Sequence, residues 1–173
     1  MRSFRSLSDD VGMLGWLWLS AVVIAIDQLT KWMAEDALTL GEPMPIIAHL
    51  NMTLAHNLGA SFGMLGDQNG WQRWFFAALA VLVCVFIVNW LRRLSKDRLW
   101  VAISLALVLG GAIGNLIDRL LYGMVTDFID VYFDIPMVMA NYHFATFNVA
   151  DIAITCGATV LVIISLFASD QLE

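Results

Sequence analysis

Charged side chains are scarce in this sequence, and basic ones are the scarcest. Aspartate, glutamate, lysine and arginine together make up only 14% of its 173 residues, and the net charge is −6. Typical soluble domains are about 25% charged, so the composition departs toward that of a membrane protein. The few lysines and arginines form no basic stripe that could neutralise phosphate groups, which excludes nucleic acid as a partner.

Cysteine and histidine are also rare, with two and three residues respectively. Cys84 and Cys156 both lie within apolar runs, where burial by packing is the simplest interpretation. The histidines, His49, His56 and His143, are scattered and share no metal-ligand spacing with the cysteines. We therefore expect neither a disulfide nor a metal site, and no cofactor.

Long apolar runs are what the sequence has in abundance. Hydrophobic residues make up 60% of the chain, and the mean hydropathy is +0.77. A transmembrane helix needs roughly 20 mostly apolar residues, and the runs predict four spans over about 14–31, 72–91, 99–120 and 148–168. They leave no room for a separate soluble domain. We therefore predict one integral membrane domain over residues 1–173, an all-α membrane protein with four transmembrane helices.

The basic residues are distributed unevenly around these spans. Six precede the first span or connect the second to the third, and three lie at the opposite ends: the six are Arg2, Arg5, Arg92, Arg93, Lys96 and Arg98, and the three are Lys31, Arg73 and Arg119. Basic residues in short segments favour the cytoplasmic side. We therefore expect both termini and residues 92–98 in the cytoplasm, and the acidic residues that border the spans on the outer side.

The two longer connections differ in composition. Residues 33–70 contain β-favouring stretches between glycines and prolines, which predicts an extracytoplasmic segment of short strands and turns on the membrane surface. Unpaired strand edges cannot lie in hydrocarbon, so these strands belong at or above the headgroups. Residues 122–146 combine acidic and aromatic side chains, which predicts an extracytoplasmic interfacial loop.

Carboxylates at the edges of the apolar runs are the most informative polar residues, because such groups are costly to place near hydrocarbon. Two carboxylates held close together share a proton. The ionised one can then accept a proton from an attacking water, while the protonated one stabilises the developing oxyanion. Asp151 is one candidate for such a pair. Spacing alone does not choose its partner among Asp127, Asp130 and Asp134.

Two polar groups have helical spacing next to these acids. Asn148 and Asp151 are three residues apart at the start of the fourth span, which predicts an N-cap and a third helical position. Asn115, Asp118 and Arg119 have similar spacing at the end of the third span. Asp118 and Arg119 could form an ion pair that closes the helix, or Arg119 could hold a phosphate, a carboxylate or a peptide carbonyl.

Three further features have structural interpretations. Gly111 and Gly114 allow a close approach between helices. Asp27 and Lys31 are four residues apart, and this ion pair is expected to support the outer end of the first span. Asn57 either marks a turn or presents an amide that holds a substrate backbone.

Four sequence blocks, taken in order, resemble the lipoprotein signal peptidase family (signal peptidase II), which are bacterial intramembrane aspartyl proteases. The blocks are Asp27–Lys31, Asn57–Phe62, Gly111–Arg119 followed by Val125–Phe128, and Phe147–Asp151. Each block is weak by itself, but the ordered set on a chain with four spans is specific. The resemblance also implies a small β-cradle on the outer surface, in agreement with the interpretation of residues 33–70.

The resemblance implies an aspartic endopeptidase that removes signal peptides from diacylglyceryl-modified prolipoproteins, cleaving before the lipidated cysteine. It implies that Asp127 and Asp151 form the catalytic pair; that Asn57, Asn115, Arg119 and Asn148 line the substrate site; and that Asp27 and Asp118 support it. It also implies a bacterial inner-membrane location with the active site near the extracytoplasmic face. Lipidated precursors and membrane lipids would be the partners, and no obligate protein partner is expected.

A small proton-coupled transporter or channel subunit is the alternative, because such proteins also use intramembrane acids. Transporters place these groups near the bilayer midplane between structural repeats. Here the acids border the spans and no internal repeat is visible, so the sequence favours the peptidase.

Overall fold

Four long helices dominate the computed structural model, which describes residues 12–58, 70–135 and 139–168. The helices are α1 (Leu17–Ala37), α2 (Trp71–Arg93), α3 (Leu99–Leu121) and α4 (Val149–Phe167), with a short 3-10 turn, Leu14–Trp16, before α1. Each is long enough and apolar enough to cross a membrane, so the four predicted helices are confirmed.

The first helix continues beyond the predicted span, ending at Ala37 instead of near residue 31. The added residues include methionine, alanine and glutamate, all of which favour helix, and no glycine or proline interrupts them before Gly41. The extension leaves the strand-forming part of the following connection shorter than expected.

The third helix lies at the centre of the bundle. It packs against α1, α2 and α4, and most of its length is buried. The other three helices turn large apolar side chains outward, such as Leu82, Phe86 and Leu166, each more than 60% exposed. Cys156 on α4 is also exposed, which contradicts the expectation that it packs inside. A helix with apolar residues on its outer face is suited to contact with lipid.

A four-stranded antiparallel sheet covers one end of the bundle, in the order β1-β2-β3-β4. Its strands are β1 (Met44–Ile47), β2 (Leu50–Asn57), β3 (Val125–Ile135) and β4 (Met139–His143). The strands predicted within residues 33–70 are therefore confirmed. The prediction of a loop over residues 122–146 is wrong, because β3 and β4 lie there. Residues 125–133 are rich in β-branched and aromatic side chains, which favour a strand, but their partner β2 lies about 70 residues earlier in the chain.

The sheet is joined to the helices on both sides of β3. Gly123 makes the turn from α3 with a φ of +81°, a conformation that glycine adopts without strain. Further along, the backbone N–H groups of Phe128 and Ile129 donate to the carbonyl oxygen of Phe147 at 3.1 and 2.9 Å. Because Phe147 immediately precedes α4, these bonds bring β3 beside the first turn of that helix.

Candidate active site

The first turn of α4 fixes one carboxylate. The side-chain oxygen of Asn148 accepts from the backbone N–H of Asp151 at 2.9 Å, and the Asp151 carboxylate accepts from the backbone N–H of Asn148 at 3.3 Å. This reciprocal arrangement is a capping box, and it confirms the predicted N-cap and third helical position. The helix dipole also favours a carboxylate at this position.

Asp127 on β3 is the second carboxylate at this point, and it is only 2% exposed. The amide of Asn148 donates to its Oδ1 at 2.7 Å, and the amide of Asn57, the last residue of β2, donates to its Oδ2 at 3.2 Å. Asn148 therefore contacts both acids, since its oxygen caps the helix at Asp151 while its nitrogen binds Asp127.

A second amide links the same two acids through α3. Asn115 donates from Nδ2 to Oδ1 of Asp151 at 2.8 Å, and its Oδ1 accepts from the amide of Asn148 at 3.1 Å. A chain of hydrogen bonds thus runs from Asp127 through Asn148 and Asn115 to Asp151. Residues from β3, α3 and α4 meet in this cluster, which we name the amide network: Asp127, Asn148, Asn115 and Asp151.

The environment of Asp127 favours its protonated form. Burial and the nearby negative charge of Asp151 raise the pKa of Asp127 to about 7, although its amide donors and the charge of Lys31 act in the opposite direction. An acid with a pKa near neutrality can both hold and release a proton under physiological conditions. Asp127 is therefore suited to carry the proton of a carboxylate pair.

Asp130, the next acid on β3, binds side chains outside the amide network. Asp130 is buried, and its Oδ2 accepts from the side chains of Asn51 at 3.2 Å and Thr53 at 2.9 Å. It is three residues from Asp127, so the two side chains point to opposite faces of the strand. The side chain of Asp134 is outside the described part. Of the alternatives that spacing left open, the geometry thus brings Asp127 to Asp151.

Beneath the amide network lies a group of three buried charges, the ion cluster of Asp27, Lys31 and Asp118. The Lys31 ammonium is 2.9 Å from Oδ2 of Asp27 and 2.8 Å from Oδ2 of Asp118, and all three side chains are at most 5% exposed. The predicted Asp27–Lys31 pair is confirmed. The cluster also supports α4, because Oδ1 of Asp27 accepts from the backbone N–H of Ala150 at 2.9 Å.

The expected ion pair between Asp118 and Arg119 is wrong. Consecutive residues on a helix do not face each other, so Asp118 points inward to Lys31 while Arg119 points toward α2. The Arg119 guanidinium donates to the backbone oxygen of Asn115 at 3.2 Å and lies 5.4 Å from the centre of the Phe76 ring. The second alternative, in which Arg119 holds a substrate group, stays open.

The two glycines are confirmed as points of close approach. A Cβ atom on Gly114 would lie 2.6 Å from the Asp27 carboxylate, and one on Gly111 would collide with the backbone oxygen of Ala150. Without a side chain at these positions, α3 can approach both the first turn of α4 and the ion cluster.

Sequence reasoning missed two side chains on α1 that contact this region. Gln28 donates to Oδ1 of Asp118 at 2.8 Å. Glu35 accepts from the Thr126 hydroxyl at 2.7 Å and lies 2.9 Å from the His56 ring nitrogen. A signal was available, since Gln28, Lys31 and Glu35 share one face of the helix at spacings of three and four residues. Among the described residues, no group of three or more histidine, cysteine, aspartate or glutamate side chains is arranged to hold a metal ion.

Comparisons with known proteins agree with this architecture. The family model described as "Signal peptidase (SPase) II" matches residues 19–167. A lipoprotein signal peptidase of Hydrogenovibrio crunogenus is 49% identical over 84% of this chain and 81% of its own length, and one of Coxiella burnetii is 48% identical over 87% and 89%. One of Pseudomonas syringae pv. tomato is 48% identical over 89% of this chain and 87% of its own length.

Solved structures give the same result. Two of them, both described as a bacterial membrane enzyme determined by the in meso method, superpose with TM-scores of 0.76 and 0.74 at 28% identity. The first covers 95% of each chain, and the second covers 92% of this chain and 98% of its own. The alternative of a transporter or channel subunit finds no support in these comparisons. With its four membrane-crossing helices, the chain is a multi-pass membrane protein that belongs to the signal peptidase II family.

Proposed function

We propose that this protein is an aspartic endopeptidase that removes signal peptides from diacylglyceryl-modified prolipoproteins, cleaving before the lipidated cysteine. Asp127 and Asp151 are the proposed catalytic pair. The observation that carries this assignment is the amide network. In it, the Asn148 amide donates to the Asp127 carboxylate, the Asn115 amide donates to the Asp151 carboxylate, and the two amides are hydrogen-bonded to each other. The relatives named lipoprotein signal peptidase support the substrate class.

In the proposed reaction, Asp151 is the base and Asp127 carries the shared proton. Asp151 takes a proton from a water whose oxygen bonds to the scissile carbonyl carbon, and Asp127 gives its proton to the carbonyl oxygen. The resulting tetrahedral diol collapses when Asp151 returns its proton to the leaving nitrogen and Asp127 recovers one from the diol. The pKa of about 7 for Asp127 supports this division.

The four predicted substrate-site residues divide into two kinds of proposed role. The amides of Asn115 and Asn148 are engaged with the acids, which supports a role in orienting the pair. Asn57 and Arg119 lie at the rim of the amide network, where Asn57 donates to Asp127 and Arg119 donates to the backbone oxygen of Asn115. We assign those two to the substrate, with Asn57 near the scissile peptide and Arg119 on a carbonyl or a headgroup oxygen.

A cavity of about 500 Å³ beside Asp151 supports binding of a lipid chain. Its walls are mostly apolar and include Phe144, Phe147, Ile152 and Ile154. An α-helix with its side chains is about 10–12 Å across, so one helical turn already fills roughly 400–600 Å³. The cavity is therefore too small for a helical signal peptide, but it suits an acyl chain of the lipidated cysteine.

The distribution of basic residues supports an outward-facing site in the bacterial inner membrane. Arg92 and Arg93 end α2 at the side of the bundle opposite the sheet, and the short connection to α3 adds Lys96 and Arg98. Basic connections of this kind stay in the cytoplasm. The sheet and the two acids then lie at the extracytoplasmic surface.

The test is cleavage of a lipidated precursor peptide by the purified protein in detergent or in bilayer discs, followed by mass spectrometry. Asp127→Asn and Asp151→Asn are each expected to lower kcat by roughly 10³-fold or more, about 4 kcal/mol of barrier, with thermal unfolding little changed. Asp130→Asn is the matched control, because that acid lies on the same strand outside the network. Near-normal turnover by either dyad variant would remove that residue from the pair.

A further inference from the structure

We propose that Lys31 is a positioning residue for the catalytic pair: its buried ammonium holds the Asn115 amide in the one orientation that serves both acids. The inference rests on the proposed function of Asp127 and Asp151. Sequence spacing gave Lys31 only a supporting role in its own helix. The structure adds a third contact: the Nζ atom of Lys31 lies 2.9 Å from the side-chain oxygen of Asn115, to which it donates.

The chemistry of the donors makes this contact directional. A lysine ammonium has three N–H donors and no acceptor, whereas an asparagine amide has a donor end and an acceptor end. Lys31 therefore requires the oxygen of Asn115 to face it. The nitrogen then points to Oδ1 of Asp151, which it binds at 2.8 Å, and the oxygen also accepts from Asn148 at 3.1 Å. A flipped amide would place its NH₂ group against the ammonium.

The carboxylates cannot impose this orientation throughout a reaction. An ionised Asp151 only accepts hydrogen bonds, but once it has taken a proton from water it can also donate. At that stage the carboxylate no longer opposes a flipped Asn115, and within the amide network the orientation depends on the longer hydrogen bond from Asn148, at 3.1 Å. Lys31 takes no proton in the reaction, and its charge is paired with Asp27 and Asp118 at 2.9 and 2.8 Å. It can therefore hold Asn115 at every stage.

A gain in folding stability does not by itself explain why these three charges are buried together. It carries two negative charges and one positive charge, a net charge of −1, at the inner end of the site. Burying such charges costs several kcal/mol per ion, and well-packed apolar residues often replace them without loss. All three Lys31 donors have acceptors, two in the ion cluster and one in the amide network. The ammonium thus connects the two groups directly.

Lys31 also acts on the acids through its charge. Its positive charge opposes the rise in the pKa of Asp127. The charged groups that face this region are Asp27 and Glu35 on α1, Asp118 and Arg119 on α3, Asp151 on α4 and Asp127 on β3. Removal of the lysine charge should therefore raise the pKa of Asp127 and move the alkaline limb of the pH profile to higher pH.

The test compares Lys31→Met with Gln28→Met in precursor cleavage across a range of pH. Lys31→Met is expected to lower kcat roughly 10- to 100-fold, by analogy with the loss of a hydrogen-bond partner that orients a metal ligand. KM should change little, and the alkaline limb should move upward. Gln28 contacts both aspartates of the ion cluster but not Asn115. Gln28→Met should therefore keep the kcat and the pH profile of the unaltered protein. An equal loss in Gln28→Met would overturn the proposal.

A double-mutant cycle with Asn115→Ala separates positioning from a general loss of structure. If Lys31 acts through Asn115, the double variant should lose no more kcat than Asn115→Ala alone. If the kcat losses of the two single variants multiply in the double variant, the proposal is wrong. Because Lys31→Met leaves two unpaired carboxylates, the cycle is repeated with Lys31→Met/Asp118→Asn, which restores the net charge of −1. In Lys31→Met/Asp118→Asn the loss of kcat should persist, while the unfolding temperature should return toward that of the unaltered protein. A recovery of kcat would count against the positioning role.

Failure of the underlying function has a different signature. An active Asp151→Asn protein would overturn the catalytic pair itself. An inactive Asp151→Asn protein together with multiplying losses in the cycle would overturn only the role of Lys31.

Discussion

The two ends of the helix bundle differ in whether they bury charged side chains. Near the connection over residues 94–98, buried residues such as Leu91 and Leu105 are apolar and at most 1% exposed. At the sheet end, the charged residues Asp27, Lys31 and Asp118 are at most 4% exposed. In a membrane, apolar side chains gain little from leaving lipid, so the first end is held by packing. Buried charges at the second end are costly, which points to a function that requires them.

The same helix, α3, supplies both environments. Its first turns contribute Val101 and Leu105 to the apolar cluster, and its last turns contribute Asn115 and Asp118 to the polar site. Contacts at the apolar end have no preferred direction, whereas each contact at the polar end depends on which atom donates and which accepts. Substitutions at the two ends should therefore separate stability from chemistry.

Asn148 should show the largest effect at the polar end, because its side chain donates to Asp127 and to Asn115 and also caps α4. We expect Asn148→Ala to lower kcat by roughly 100- to 1,000-fold, as for removal of a strong donor to a reacting group. Loss of the N-cap should also reduce the free energy of unfolding by about 1 kcal/mol. The measurements are precursor cleavage and thermal unfolding.

Asn148→Ser is the matched control for the cap. Serine is an equally good N-cap but cannot reach with an amide, so this variant should unfold like the unaltered protein and still lose activity. Full activity in Asn148→Ser would mean that the contact with Asp127 is dispensable.

The polar end should also make activity and stability depend on pH, whereas the apolar end has no titrating group that would do so among the buried residues named above. Because the pKa of Asp127 is about 7 and the proposed reaction uses its proton, kcat should fall about tenfold per pH unit in the alkaline range. The stability of the folded protein should also fall as the pH rises. A group with a raised pKa in the folded state stabilises the protein below its unfolded pKa, and this contribution is lost as the pH rises toward 7.

Activity and thermal unfolding measured over the same pH series check both statements. A pH-independent kcat above neutrality would contradict the assignment of the shared proton to Asp127.

Leu105 tests the apolar end. Leu105→Ala should leave a cavity in the packed cluster and lower the free energy of unfolding by about 2–3 kcal/mol. Because Leu105 lies far along α3 from the acids, kcat per folded molecule should be unchanged. Leu82→Ala is the control, since that side chain is 68% exposed toward the lipid and leaves no cavity. A kcat loss in Leu105→Ala without unfolding would break the separation between the two ends.

Arg119 should give the smallest effect. Lysine keeps the charge but loses the planar set of donors, so Arg119→Lys should raise KM several-fold, roughly 3- to 10-fold, with a smaller change in kcat. Arg92→Lys, at the opposite end of the bundle, should be silent. An unchanged KM in Arg119→Lys with normal stability would leave Arg119 as a packing residue against Phe76.

Local patterns predicted the helical part of this protein well. Four apolar runs gave four helices, Asp27 and Lys31 paired at a spacing of four residues, and Asn148 capped α4. Each of these features depends on residues close together in sequence. The sheet was only half predicted, because β3 needs β2 as a partner and nothing in the sequence between them indicates the pairing.

The polar site shows where local reasoning stops. Asp118 was expected to pair with its neighbour Arg119, but it binds Lys31, 87 positions earlier in the chain. Spacing also left Asp127 and Asp130 equivalent as partners of Asp151. The family resemblance chose Asp127, and the folded strand supplies the physical difference: Asp127 faces α4, whereas Asp130 faces Asn51 and Thr53.

The sequence by itself determined that the chain lies in a membrane, how many times it crosses, and which short blocks bear acids, because these properties follow from composition and from spacing within a few residues. The tertiary structure decided the partner of Asp151 where spacing had left the choice open, the pairing of Asp118 with Lys31, and the orientation of the amides of Asn115 and Asn148. Those choices depend on hydrogen-bond donors and acceptors that segments far apart in the chain bring together, and a hydrogen bond forms only where distance and direction are both satisfied.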